Sequence, residues 1–247
     1  DGTAASSFLP AAAPWICDLA RPVPAMLREL SPAQLSLIQA LQAAPDAVEA
    51  LERLRDEWRP TRLIHGDIKW NNVLVRLDAA APAPTHPCAP APPRPSASAP
   101  PRSLPSGIVL LDWELAQLGD PAWDVGAVLH AFILDAVLEL EPAKGAGPGE
   151  VALLLGGAMS RLHPAHREFL TRYAAAAELT LTEADHLRAR LPANVAARLI
   201  KTAFEWGQGE AQVPRRAAAI HQLGINMLRQ PRTAGRVVLG LVEGAGG

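Results

Sequence analysis

Apolar positions recur at helical spacing from Ser31 onward. Leu35, Ile38 and Leu41 follow one another at steps of three, behind a Ser31 cap and a Pro32 at the first helical position. Asp46 and Glu49 have the spacing of a capping box and predict a second helix, with Val48, Leu51 and Leu54 on its apolar stripe and Pro60 as its stop. The period then shortens. Arg62–His65 and Asn72–Leu77 are short β-rich runs, and Ile108–Leu111 is an aliphatic run suited to a buried strand. Helical spacing returns at Trp123. It predicts segments over Trp123–Leu140, Pro148–Arg161, Pro164–Leu179, Thr182–Leu191, Asn194–Trp206, Val213–Arg229 and Thr233–Val242. The pattern is that of an α+β protein, mainly helical, with three short strands grouped in the first half of the chain.

Between Ala79 and Gly107 this patterning vanishes. Ten of the 24 prolines fall there among Ala and Ser, and Leu104 is the one large aliphatic residue. Such a stretch has nothing to pack, so it reads as a surface insert without a core of its own. Over the 247 residues 49% are apolar and 19% charged, which suffices to build a globular core. The net charge of −2 gives no attraction to nucleic acid or to an anionic membrane. The longest apolar run, Val125–Leu140, is interrupted by His130 and Asp135 and reads as too short to span a bilayer; the first residues lack a signal-peptide pattern. Cys17 and Cys88 have no metal-ligand spacing, and free thiols in a cytoplasmic setting are the expectation.

Candidate chemistry is concentrated around the strands. His65-Gly66-Asp67-Ile68-Lys69-Trp70-Asn71-Asn72 lies between the first two β-rich runs, and Asp112-Trp113-Glu114 follows the third. Gly119-Asp120-Pro121-Ala122-Trp123-Asp124 comes next, at the start of a long helix. Phosphoryl transfer needs a cation to neutralise the phosphates and a group that orients the attacking hydroxyl and takes its proton. Hard cations take oxygen ligands, which Asp, Asn and Glu supply. Asp67 and Asp112 are 45 residues apart, but without the 27 residues Ala79–Pro105 the separation is 18. That length suits a turn between two adjacent antiparallel strands, with the insert protruding and both carboxylates at one end of the pair. Singly, each residue has an ordinary structural use: Asp67 and Asn72 in a turn, Asp120 as a helix start, Asp124 as a first-turn acid.

His-Gly-Asp-x-x-x-x-Asn, a strand ending in Asp-Trp-Glu, and Gly-Asp-Pro-x-x-Asp together resemble the signature of the aminoglycoside phosphotransferase and choline kinase-like family, which shares the protein-kinase fold. The resemblance covers the large, C-terminal lobe. It implies leading helices over 22–62, a motif-bearing core over 63–126 that carries the 79–107 insert, and a helical subdomain over 127–247. The catalytic and metal-binding loops would sit on a short β-hairpin. By position, Asp67 resembles the catalytic base and Lys69 the lysine that contacts the transferred phosphate. Asn72 and Asp112 resemble the ligands of Mg²⁺ and, through it, of ATP. Glu114 matches a second metal-site acid. His65 reads as a support of the loop, and Asp124 resembles the aspartate whose carboxylate accepts the loop's backbone N–H groups.

The small lobe that the family uses to hold nucleotide is not in the sequence. The 64 residues before His65 hold one glycine and no lysine; Lys69, Lys144 and Lys201 are the chain's three lysines. The chain also begins with Asp1 rather than Met, so a piece of a longer protein is the expectation. The implied activity is ATP-dependent transfer of the γ-phosphate to a hydroxyl of a small molecule, with Mg²⁺ and nucleotide as partners. A non-catalytic, pseudokinase-like binding module is the alternative. A protein kinase is disfavoured, because no Phe-Gly follows Asp112 and no Ala-Pro-Glu closes an activation segment.

Overall fold

Residues 9–75, 107–141, 145 and 147–241 are described by the structure, a computed structural model. Nearly all of the Pro/Ala-rich insert, Cys88 within it, and the end of the last predicted helix lie outside these residues. Helix accounts for 68% of what is described, so the chain is α+β and mainly helical.

Local chemistry sets most helix starts. After the single turn α1 (Pro24–Leu27), helix α2 (Pro32–Gln42) opens on a capping box: Gln34 N donates to the Ser31 hydroxyl at 3.2 Å, and Ser31 N donates to the Gln34 amide oxygen at 3.1 Å. Helix α3 (Pro45–Asp56) corrects the sequence expectation. Ala44 is its cap residue and Pro45 its first position, so Asp46 lies inside the first turn, where it meets the helix dipole. Helix α4 (Pro121–Leu138) starts two residues before the apolar pattern, because the Asp120 carboxylate accepts from Ala122 N at 2.9 Å.

The apolar pattern breaks the chain at Pro164 and at Asn194. The structure instead runs α5 (Pro148–Ala176) through Pro164 and α6 (Leu181–Trp206) through Pro192. An interior proline costs about 3 kcal/mol, whereas each buried leucine stabilises by roughly 2 kcal/mol. Leu187 and Leu191 before Pro192, and Val195 and Leu199 after it, all enter one core, so packing on both sides outweighs the break. The capping box of α6 is Thr180 with Glu183, so the helix opens before Thr182. Asn194, where the apolar pattern starts a separate helix, is interior, and its Nδ2 donates to Arg190 O at 2.9 Å. Helices α7 (Arg215–Arg229) and α8 (Pro231–Val237) complete the bundle.

Helix α6 is its centre, packed against α7 on one side and α4 on another. Two glycines permit the approach. A Cβ on Gly224 of α7 would stand 2.8 Å from Ile200 Cγ1 and 2.9 Å from Ala196 O, and one on Gly126 of α4 would stand 3.2 Å from Asn194 Cβ. By length and a mean hydropathy of 1.4, α4 passes the test for a membrane span that the sequence reading had it fail. Its apolar character goes into the core: Trp123, Leu129 and Ile133 are buried.

Among the described residues there are four strands of three residues: β1 (Arg62–Ile64), β2 (Val73–Val75), β3 (Ile108–Leu110) and β4 (Gln117–Gly119). The sequence reading misses β4, since Gln-Leu-Gly has no β-branched or aromatic residue. The expected hairpin around the insert is present, and a second strand pair is added to it. β2 pairs antiparallel with β3, Val73 opposite Leu110, while β1 pairs antiparallel with β4, Ile64 opposite Gln117. The pairs are nested in chain order, so the loops His65–Asn72 and Leu111–Ala116 both run from one pair to the other and lie side by side.

Two outcomes follow from this packing. Gly224→Ala gains up to about 1 kcal/mol of helix propensity but inserts a methyl against a backbone carbonyl, and overpacking costs about 1–3 kcal/mol. Urea unfolding should show net destabilisation, while Gly156→Ala in α5, with nothing within 4 Å of its Cβ, should stabilise; a more stable Gly224→Ala would disprove the close contact. Burial also pulls down His130 to about 3, and His166 and His221 each to about 4, from the ordinary 6.5. These rings are neutral when folded and take protons when unfolded below pH 6.5, so stability is whole above that pH and falls as pH drops toward 4. The expected slope approaches about 1.4 kcal/mol per pH unit for each histidine, and unfolding free energies that stay flat over this window would contradict it.

Candidate functional site

The His65–Asn72 loop is bolted to the helical core at its first two residues. His65 N donates to Asp124 Oδ2 at 2.6 Å and Gly66 N to Asp124 Oδ1 at 3.1 Å, so one carboxylate from the first turn of α4 satisfies two consecutive loop amides. The Gly66 carbonyl is held from the other side, accepting from Trp123 Nε1 at 3.0 Å and from Arg198 Nη2 at 3.2 Å. Arg198 comes from α6. It is fully buried, donates through Nε to Trp123 O at 2.9 Å, and lies over the Trp123 ring at 4.2 Å. Burial pulls its guanidinium down to about 10, against the charges of Asp124, Asp67 and Glu205, which leaves it cationic at neutral pH.

His65 ties the two loops together. Its Nδ1 accepts from Asp67 N at 3.3 Å, which makes Nε2 the protonated nitrogen, and Nε2 donates to Leu111 O at 2.7 Å. Leu111 N in turn donates to Asn72 O at 2.8 Å. Gly66, at φ +83°, is required here: a Cβ would stand 2.6 Å from Leu115 O of the facing loop. Beside Leu111, Asp112 adopts the left-handed conformation, φ 64° and ψ 62°, which a non-glycine residue holds at an energetic cost and which turns the chain into Trp113–Leu115. Trp113 covers His65, with ring centroids 4.8 Å apart.

Asp67 is buried at the middle of the first loop. Its Oδ2 accepts from Lys69 Nζ at 2.5 Å and from Asn72 Nδ2 at 3.4 Å, and Asn72 Nδ2 also donates to Asp67 O at 2.9 Å. Lys201 of α6 lies 3.9 Å from Oδ1 and pairs with Glu205, one turn on, at 2.6 Å. Burial pushes the Asp67 carboxyl up, but the Lys69 hydrogen bond and the charges of Lys201, Lys69 and Arg198 outweigh it and hold it below the usual aspartate range. Asp67 is therefore ionised at neutral pH. The same hydrogen bond holds the Lys69 ammonium above the ordinary lysine range, with burial opposing, and the fields of Glu205 and Asp112 reach it.

Asp67, Lys69, Asn72, His65 and Asp124 are thus joined in one hydrogen-bonded unit, and Asp112 is attached to it through Leu111. Glu114 stands on the exposed turn beyond Asp112, and among the described residues its side chain makes no hydrogen bond or ion pair to that unit. Nor is any group of three or more His, Cys, Asp or Glu side chains there gathered closely enough to hold a metal ion. Both hydrogen bonds of the Asn72 side chain use Nδ2, so its Oδ1 is the atom left for a ligand. Asn72 Oδ1 and the Asp112 carboxylate are hard oxygen donors, and a set this small fits a cation that keeps waters and takes phosphate oxygens.

Sequence reasoning did not find Arg198 or assign Lys201. Both lie on one face of α6, three residues apart, with Glu205 four further on. The scarcity of lysine was the available signal for Lys201. For Arg198, one of many arginines, no local signal exists.

The Asp124 contacts carry a direct test. Asp124→Asn keeps the shape but sets an amide N–H₂ against a backbone N–H and removes a charge beside buried Arg198, at a cost of about 3 kcal/mol or more. Chemical denaturation measures this, and a change below about 1 kcal/mol, within the range of ordinary surface substitutions, would show that the loop is held by other contacts.

Compared with known proteins, the chain matches no protein-family model and no curated protein.

Proposed function

We propose that this chain is the large, kinase-like lobe of a small-molecule phosphotransferase, which moves the γ-phosphate of ATP to a hydroxyl. One observation carries the reading: the Leu111 N to Asn72 O hydrogen bond joins the residue before Asp112 to Asn72 itself. That bond sets the backbone beside Asp112 against Asn72, which supports reading Asp67, Asn72 and Asp112, the outer two 45 residues apart in sequence, as the groups that phosphoryl transfer requires. The resemblance of the motifs supplies the class of reaction, and the geometry supports it without naming the acceptor.

In this reading Asp67, ionised and held from below by Asn72, orients the acceptor hydroxyl and takes its proton as the oxygen attacks. Lys69 supplies positive charge beside it. Asn72 Oδ1 and Asp112 would hold Mg²⁺, with Glu114 as a further acid on the same turn; when bound, the ion neutralises phosphate charge. His65 fixes the spacing of the two loops, and Asp124 with Arg198 fixes the backbone under Asp67, so the group that meets the hydroxyl moves little.

In the whole phosphotransferase of which this chain would be the large lobe, given Mg·ATP and a panel of hydroxyl acceptors, Asp67→Asn should cut transfer about 10²- to 10⁴-fold while leaving Mg·ATP binding nearly intact, because asparagine cannot accept the proton. Asp112→Asn should instead raise the Mg²⁺ concentration needed for half-maximal rate. Asp67→Asn turning over like the parent chain would refute the assignment. Mg·ATP binding with no acceptor phosphorylated would favour the non-catalytic module.

A further inference from the structure

Two of the chain's three lysines stand at one carboxylate. Lys69 meets Asp67 Oδ2 from within the loop at 2.5 Å, and Lys201 faces Oδ1 from α6 at 3.9 Å. All the remaining positive side chains but Lys144 are arginines, spread along the chain. Lys201 is not a solvated surface charge: its side chain is 16% exposed, against 53% for Lys69. Glu205 steadies the ammonium at 2.6 Å. Its place is set by a rigid element, because α6 is wedged between α4 and α7, and Arg198, three residues earlier, is hydrogen-bonded to the Gly66 carbonyl next to Asp67. A loop lysine is thus opposed by a helix-mounted one across the same carboxylate.

We propose that Lys201 is a further catalytic residue of this site, its ammonium contacting the oxygens of the transferring phosphoryl group on the Oδ1 side of Asp67. The inference rests on the phosphotransfer reading. Lys69 and Asn72 occupy Oδ2, so Oδ1 is the oxygen that receives the acceptor's proton. In the step, the hydroxyl proton passes to Oδ1 and the hydroxyl oxygen bonds to the γ-phosphorus. The bond from that phosphorus to the β–γ bridging oxygen breaks, and its electron pair leaves on the nucleoside diphosphate. Lys201 exchanges no proton. It places a fixed positive charge where negative charge spreads over the equatorial oxygens, and a charge that need not reorganise is the most effective kind. Glu205 holds the ammonium in place before substrate arrives and gives up part of it to the phosphoryl oxygens.

The small number of lysines makes the test direct. In the whole phosphotransferase of which this chain would be the large lobe, carbon-13 labelling at lysine Cε gives side-chain signals among which the three of this chain are assigned with Lys69→Arg, Lys144→Arg and Lys201→Arg. Titration with Mg·ATP should move the Lys69 and Lys201 signals together, along one binding curve. Lys201→Met should lower the rate of γ-phosphate transfer about 10²-fold with its thermal transition retained, and Lys201→Arg should recover part of that loss. If Lys69 moves while Lys201 stays still, the role of Lys201 is overturned and the phosphotransfer reading stands. If neither moves, the phosphate chain does not reach Asp67 and both fall.

Discussion

Everything in the site hangs from the Asp124 carboxylate. A loop cannot bury its backbone amides without partners, and two adjacent N–H groups aimed the same way require one acceptor with two oxygens. Asp124 meets that need from the first turn of α4, where the helix dipole also favours a negative charge. Buried next to it, Arg198 answers the charge and reaches the Gly66 carbonyl, so the donor and the acceptor of one residue, Gly66, are both held. Remove the carboxylate and two loop amides lose their acceptor, and a buried arginine loses its nearest opposite charge.

From that anchor the geometry propagates outward. The nesting of β2–β3 within β1–β4 leaves two loops crossing between the strand pairs, and Gly66 lets them touch at Leu115. His65 then spans the gap with a single tautomer, taking a proton contact from Asp67 and giving one to Leu111. The strands are three residues long and could not be stable alone. They serve as hinges of fixed length, and the helical core beneath supplies their stability.

The electrostatic arrangement is economical. Asp67 is the acid toward which cations converge, Lys69 from its own loop, Lys201 and Arg198 from α6. Arg198 is committed to backbone carbonyls and the Trp123 face, whereas both lysines retain contact with solvent or with a carboxylate that can exchange for an incoming anion. Behind them His130, neutral through burial, closes the layer by its contact with Thr202 at 3.1 Å. A positively lined carboxylate on rigid supports is the feature on which the proposed phosphotransfer depends.

The sequence by itself determined the helical character of the chain and the Ser31 start, offered Asp120 as one possible helix start, and singled out His65, Asp67, Asn72, Asp112 and Asp124, because caps, periodicity and motif spacing are local properties written in neighbouring residues. It also singled out Lys69 through the motif, whereas Lys201 stood only as one of three lysines with no role assigned. Tertiary structure decided the rest. Pro164 and Pro192 stay inside α5 and α6 because burial on both flanks exceeds the cost of a lost hydrogen bond. β4 exists because β1 needs a partner, not because Gln-Leu-Gly prefers a strand. Arg198 and Lys201 join the site because α6 is drawn under the loop by glycine contacts on two sides, and no pattern within α6 encodes the position of residues more than a hundred places earlier.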